Sequence, residues 1–105
     1  VRRRSVTFSE AASDDILDIY RWVYEVSLDP VTADRFTDRL LRACESIGTF
    51  PESGRPRDDL LPGLRTLAFE RRAVIAYLAK DDTVIIANVF YGGRDYESLL
   101  RKPNP

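Results

Sequence analysis

A chain of 105 residues, 44% hydrophobic and 31% charged, suffices for one modest core and is too short for two, so residues 1–105 read as a single globular domain. With no histidine and one cysteine, Cys44, an internal disulfide, Ser-His-Asp or Cys-His catalytic sets and ordinary zinc sites are excluded. A net charge of −1 does not announce a nucleic-acid binder, and no apolar stretch approaches the length of a membrane span. There is no GxxxxGK[ST] or GxGxxG phosphate loop, so no cofactor and no metal are expected. No signal peptide is expected ahead of the fold, and the expected compartment is the cytoplasm.

Charge is unevenly placed. Arg2, Arg3 and Arg4 open the chain, with Arg2 expected to fray, whereas Glu10, Asp14, Asp15, Asp18, Glu25 and Asp29 crowd the next segment against Arg21. Arg4 to Phe8 alternates as a short strand with Val6 and Phe8 on one face. Ser9 is an N-cap for a helix running to about Ser27, whose core stripe is Ala12, Ile16, Ile19, Val23 and Val26. Leu17, Tyr20 and Tyr24 form a second row beside a stripe that is already complete. Spare apolar and aromatic surface of this kind points to a protein partner.

Asp29-Pro30 is a capped helix start with proline at the first helical position, so Ser27 to Asp29 is a tight reversal and an αα hairpin follows. In the second helix Ala33, Phe36, Leu40, Ala43 or Cys44, and Ile47 face inward, with Gly48 expected as a left-handed stop. Cys44 is expected to be a small core residue. Residues 50–57 make a loop punctuated by Pro51, Gly54 and Pro56. Leu64 to Phe69 is a strand that turns through Glu70 to Arg72 into the next.

Two near-continuous apolar runs, Ala73 to Leu78 and Val84 to Phe90, flank Lys80-Asp81-Asp82 and read as strands buried on both faces. They end in Tyr91-Gly92-Gly93-Arg94-Asp95-Tyr96, where glycines let the backbone leave the strand and Arg94 offers a planar cation. The plainer reading of that ending is a turn with a solvated arginine. The element order predicts an α+β fold: a short N-terminal strand, an αα hairpin, an antiparallel three-stranded meander with both helices on one side, and a short terminal helical segment from Asp95 to Arg101. Residues 102–105 are expected to be a loose tail.

The chain resembles the ParE/RelE superfamily of bacterial toxins, and its ParE branch more than its RelE branch. The resemblance runs from about Val6 to Leu100. It rests on the strand-helix-helix opening, on Pro51 to Arg57 as a P-x-x-G-R-x-R loop, on Leu64-Arg65 opening the next strand, on Tyr77, and on Gly92-Gly93-Arg94-Asp95 in place of H-G-R-R-D. The resemblance implies the toxin of a type II toxin-antitoxin system, neutralised by a cognate antitoxin protein. A ParE-like member is a binding inhibitor of DNA gyrase, with DNA met only indirectly; a RelE-like member is a ribosome-dependent messenger-RNA endonuclease. Where the RelE pattern carries further cations this chain has Leu67 and Val74, and Leu100 lies near the place of its late tyrosine, although Tyr96 is close by. A non-toxic antitoxin-binding module is the third reading. No catalytic residue is assigned. The candidate target contacts are Arg65, Tyr91, Arg94, Asp95 and Tyr96, and the candidate antitoxin contacts are Leu17, Tyr20 and Tyr24. Tyr77 is expected to fill the core, and the plainer expectation for Arg65 is a carboxylate partner.

Overall fold

The computed structural model describes residues 3–92 and Leu100. In chain order the elements are β1 (Ser5–Phe8), α1 (Glu10–Ser27), α2 (Pro30–Thr49), β2 (Arg55–Pro56), β3 (Leu64–Phe69), β4 (Ala73–Lys80) and β5 (Thr83–Tyr91). The strands form one sheet in the order β1-β5-β4-β3-β2. The meander of β3, β4 and β5 is antiparallel as expected. The sheet as a whole is mixed, because the first strand returns beside the last and runs parallel to it, with Ser5 opposite Thr83 and Phe8 opposite Ile86. The helical hairpin and strands β2 to β4 lie between them in sequence, more than the long connection that parallel neighbours require.

Both helices start where their caps dictate. The Ser9 hydroxyl accepts from the Ala12 amide at 3.0 Å, and the Asp29 carboxylate accepts from the Val31 amide at 3.1 Å ahead of Pro30. In α1 the inward stripe is Ala12, Ile19 and Val23, with Ile16 half-buried beside it. Val26, expected on that stripe, is 65% exposed: it stands in the final turn, where the chain reverses at Leu28 and leaves the core behind. In α2 the buried face is Ala33, Phe36, Leu40, Cys44 and Ile47. Burial pushes the Cys44 thiol up to about 12, the behaviour of an inert core residue.

Gly48 does not stop α2. It lies inside the helix, which runs to Thr49 and is capped at Phe50. Its role is close approach: a Cβ there would sit 2.5 Å from the Arg4 carbonyl oxygen and 2.9 Å from Val6 Cγ2. The Arg4 amide donates to the Gly48 carbonyl at 2.8 Å, so β1 rests directly on the end of α2.

The main core lies between the hairpin and the sheet, and a smaller cluster of Leu64, Ala76 and Phe90 covers the far face with help from Leu60, Val74, Leu78 and Leu100. Both apolar runs are therefore covered on two sides. A register shift in the β4–β5 ladder leaves Ala87 without a partner, since Ala76 pairs with Asn88 and Tyr77 with Ile86. One extra residue reverses the alternation of β5. Val84 and Ile86 face the helices before the shift; Val89 and Tyr91 face them after it. The bulge thus aims Tyr91 at the helical hairpin. The expected terminal helix and tail lie outside the described residues apart from Leu100.

Candidate functional site

The two ends of the sheet use their polar groups differently. At the end where β3 begins, the loop of Pro51, Gly54, Arg55 and Arg57 is fastened from beneath by Tyr77. This side chain is fully buried; its hydroxyl donates to the Pro51 carbonyl at 2.7 Å and accepts from the Gly54 amide at 2.8 Å. A Cβ on Gly54 would meet the Tyr77 hydroxyl at 2.6 Å, so only glycine fits. Arg65 Nη1 donates to the Gly54 carbonyl at 2.7 Å, and its partner is backbone rather than the carboxylate that was the plainer expectation. Arg57 is buried and donates to Asp59 through Nε at 2.9 Å and Nη2 at 2.8 Å. Arg4 likewise donates to the Asp81 carbonyl at 2.7 Å. Arg4, Arg57 and Arg65 at this end are thus bonded within the fold.

At the other end, α1 runs out, α2 begins, β3 turns into β4, and β5 terminates. Tyr91 packs edge-on against Trp22 at a centroid distance of 4.8 Å and against Phe36 at 5.7 Å. These aromatics wall a groove of about 540 Å³ lined also by Val26, Arg35, Arg39, Glu70 and Arg72. Arg39 is held by Glu70 in a bidentate pair of 2.7 and 3.0 Å and lies over the Phe36 ring. The Arg39 hydrogen bond keeps the Glu70 carboxyl below the usual carboxylate range. Arg35 and Arg72 form no ion pair among the described residues.

A second groove, about 290 Å³, opens on the other side of the same aromatic pair and is lined by Asp15, Asp18, Ile19, Val89 and Gly92. Asp15 Oδ2 accepts from the Val89 amide at 2.9 Å, capping the outer edge of β5 where β1 has already ended. Gly92 then takes φ of +77°, a left-handed conformation open to glycine. Among the described residues no cluster of side chains is suited to hold a metal ion, and no helix is long and apolar enough to cross a membrane.

Residues 6–96 match the family described as the ParE toxin of type II toxin-antitoxin system, parDE. The chain belongs to the ParE toxin family. Its fold is that of a solved chain from the chromosomal ParDE toxin-antitoxin system of P. aeruginosa, with a TM-score of 0.72 and 23% identity, covering 85% of this chain and 96% of that one. It is also similar to a chain of the toxin-antitoxin complex RelBE2 from Mycobacterium tuberculosis, with a TM-score of 0.66 and 18% identity over 86% of this chain and 99% of that one. No curated protein matches significantly.

Within this ParE-family toxin the sequence-derived candidates are dispersed. Arg65 and Tyr91 are not brought together: Arg65 pairs with Tyr77 toward the start of β3, whereas Tyr91 pairs with Ala73 at the opposite end of the sheet. Arg94, Asp95 and Tyr96 lie outside the described residues. On α1, Leu17 and Tyr24 are about half exposed, while Tyr20 is half-buried against the core, its hydroxyl beside Asp34. Hydrogen bonding to that carboxylate raises the Tyr20 phenol above its ordinary value. Leu67 packs against the main core and Val74 against the far-face cluster.

The groove residues Trp22, Arg35, Arg39, Glu70 and Arg72 went unnoticed in the sequence. One signal existed: Trp22, the lone tryptophan, falls outside the apolar stripe of its helix. The meeting of three elements around it has no local signature.

Proposed function

We propose that this ParE-family toxin acts by binding DNA gyrase and trapping it with cleaved DNA, and that a cognate antitoxin neutralises it by covering the Leu17, Tyr20 and Tyr24 flank of α1. What supports binding over cleavage is the sheet itself. Stabilising a phosphoryl-transfer transition state takes several cations converging on one phosphate. Here Leu67 and Val74 pack into apolar clusters on opposite faces of the sheet, and Arg65 donates to a loop carbonyl. The target contacts in this reading are Tyr91 at the end of β5 with Arg94, Asp95 and Tyr96 beyond it. The antitoxin reading rests on Leu17 and Tyr24, 48% and 45% exposed on one side of a helix whose core face is already covered.

The test is a gyrase supercoiling assay with the purified full chain. Inhibition with accumulation of linear, protein-linked DNA is expected, and Arg94→Ala should weaken the effect about thirtyfold, ~2 kcal/mol of hot-spot binding. Inactivity toward gyrase, together with codon-phased messenger-RNA cleavage on translating ribosomes, would overturn the reading. For neutralisation, Tyr24→Asp is the variant of choice because it is exposed; unaltered antitoxin affinity would remove this flank from the interface.

A further inference from the structure

The Trp22 and Tyr91 rings form a ridge with opposite charge on its two sides. Along α1, Asp15 and Asp18 precede Trp22 and line the groove on one side; Arg35 and Arg72 line the groove on the other. The charges on both sides are largely uncommitted. Asp15 accepts an uncharged amide, and no cation pairs with it among the described residues. Asp18 has only a long exposed contact to Arg21 at 3.8 Å. Arg35 and Arg72 reach Asp29 and Glu70 through their fields alone, Glu70 being bonded to Arg39. The ridge is apolar and open to solvent, with Trp22 45% exposed and Val26 65% exposed beside it.

We propose that this ridge is a self-association surface on which a second copy of the chain docks about a two-fold axis parallel to the ridge. Rotation about such an axis exchanges the two sides, so the Asp15 and Asp18 side of each copy meets the Arg35 and Arg72 side of the other. The charge pattern is self-complementary for this axis; a two-fold across the ridge would set like charge against like. Complementary charges repeated twice by the symmetry fix the register, and the two aromatic pairs supply the apolar centre that an isologous interface needs. The surface lies on the opposite flank of α1 from Leu17, Tyr20 and Tyr24, so the inference does not depend on the antitoxin reading; it shares Tyr91 with the gyrase reading, and sedimentation tests it without gyrase. A dimer of this kind covers Tyr91, the residue from which the glycine-bearing tip departs.

Sedimentation velocity of the full chain over a concentration series tests this directly. A monomer–dimer equilibrium is expected, weakened by salt because the paired charges lie at an exposed surface. Arg72→Glu and Asp18→Arg, both at exposed positions and verified as folded by circular dichroism, should each weaken the dimer about tenfold by setting like charges together at two symmetry-related places. Mixing the two variants in equal amounts should restore association as a one-to-one heterodimer, which only reciprocal pairing across a two-fold produces. A chain that stays monomeric at every concentration, a dimer indifferent to both substitutions, or a mixture that fails to associate would each overturn the proposal.

Discussion

The two ends of the sheet carry comparable numbers of arginines and aromatics and put them to opposite uses. Where β3 begins, Tyr77, Gly54, Pro51 and Arg65 satisfy one another, with the phenol fully buried and two backbone groups bonded to it. Where β5 ends, Trp22 is 45% exposed, Tyr91 half-buried, and Arg35 and Arg72 stand without an ion pair among the described residues. The contrast separates motif from site. The P-x-x-G-R-x-R loop, the most recognisable local pattern in the chain, is a fastener; the uncommitted chemistry gathers at the end with no local motif.

On that division, substitutions at the fastener should destabilise the protein strongly while those at the ridge spare it. The largest effect is expected for Gly54→Ala. Its new methyl would lie 2.6 Å from the Tyr77 hydroxyl and 2.7 Å from Cε1 of the same ring, which has no open space into which to retreat. A loss of about 3 kcal/mol in a denaturant titration is expected, at the upper range for overpacking. A cost below about 1 kcal/mol would show that the loop can shift, and the fastener would lose its standing. Tyr77→Phe should follow at about 2 kcal/mol, because the ring stays while the Gly54 amide and Pro51 carbonyl lose their partner. Double-mutant analysis with Arg65→Ala should show coupling, since Gly54 bonds to both side chains.

Which parts were legible beforehand follows from the range of the forces involved. The helix starts at Ser9 and Asp29 are local events, one side chain bonding to an amide within three residues, and both were readable. So were the apolar runs of β4 and β5, whose composition alone marks them as buried. The role of Gly48 was misread because glycine near a helix end has two uses, and only the arrival of Arg4 from a distant segment distinguishes close approach from a left-handed stop. The parallel seating of β1 and the bulge at Ala87 were also hidden. Strand pairing depends on partners 78 positions apart in the ladder between Ser5 and Thr83, and a bulge appears in the sequence only as one apolar residue among several. The exposed row of Leu17 and Tyr24 was visible from periodicity. The ridge was not, because Trp22 and Tyr91 come from different elements and Tyr91 faces the helices only after the bulge.

The ridge end should also hold a substitution that improves stability, which the fastener should not. Leu28 caps α1 in the left-handed conformation, φ of +55°, and its side chain is 81% exposed. Glycine adopts that conformation without the Cβ clash, and little packing is lost with a solvent-facing leucine. Leu28→Gly is therefore expected to gain about 0.5–1 kcal/mol, read as a higher denaturation midpoint. A loss instead would mean that Leu28 packs on its neighbours in solution.

The smallest effect expected distinguishes the two ends by charge rather than by size. Arg39 and Glu70 join α2 to the β3–β4 turn, but their side chains are 51% and 37% exposed, so solvent screens most of the attraction. Glu70→Gln should cost about 0.5 kcal/mol near neutral pH. Its pH dependence has a definite sign. Because the folded-state value of Glu70 is lowered, the pair's contribution is complete above the unfolded carboxyl value and disappears as pH falls through the folded one. Wild type and Glu70→Gln should accordingly converge in stability on acidification, with the wild type losing its advantage. Tyr77→Phe removes hydrogen bonds between uncharged groups, so its deficit should stay constant over the same acid range. Parallel denaturant titrations of the three proteins down the pH scale would expose a failure: a Glu70→Gln deficit that persists in acid would mean that the side chain contributes through packing, and the ridge end would then be as firmly fastened as the other.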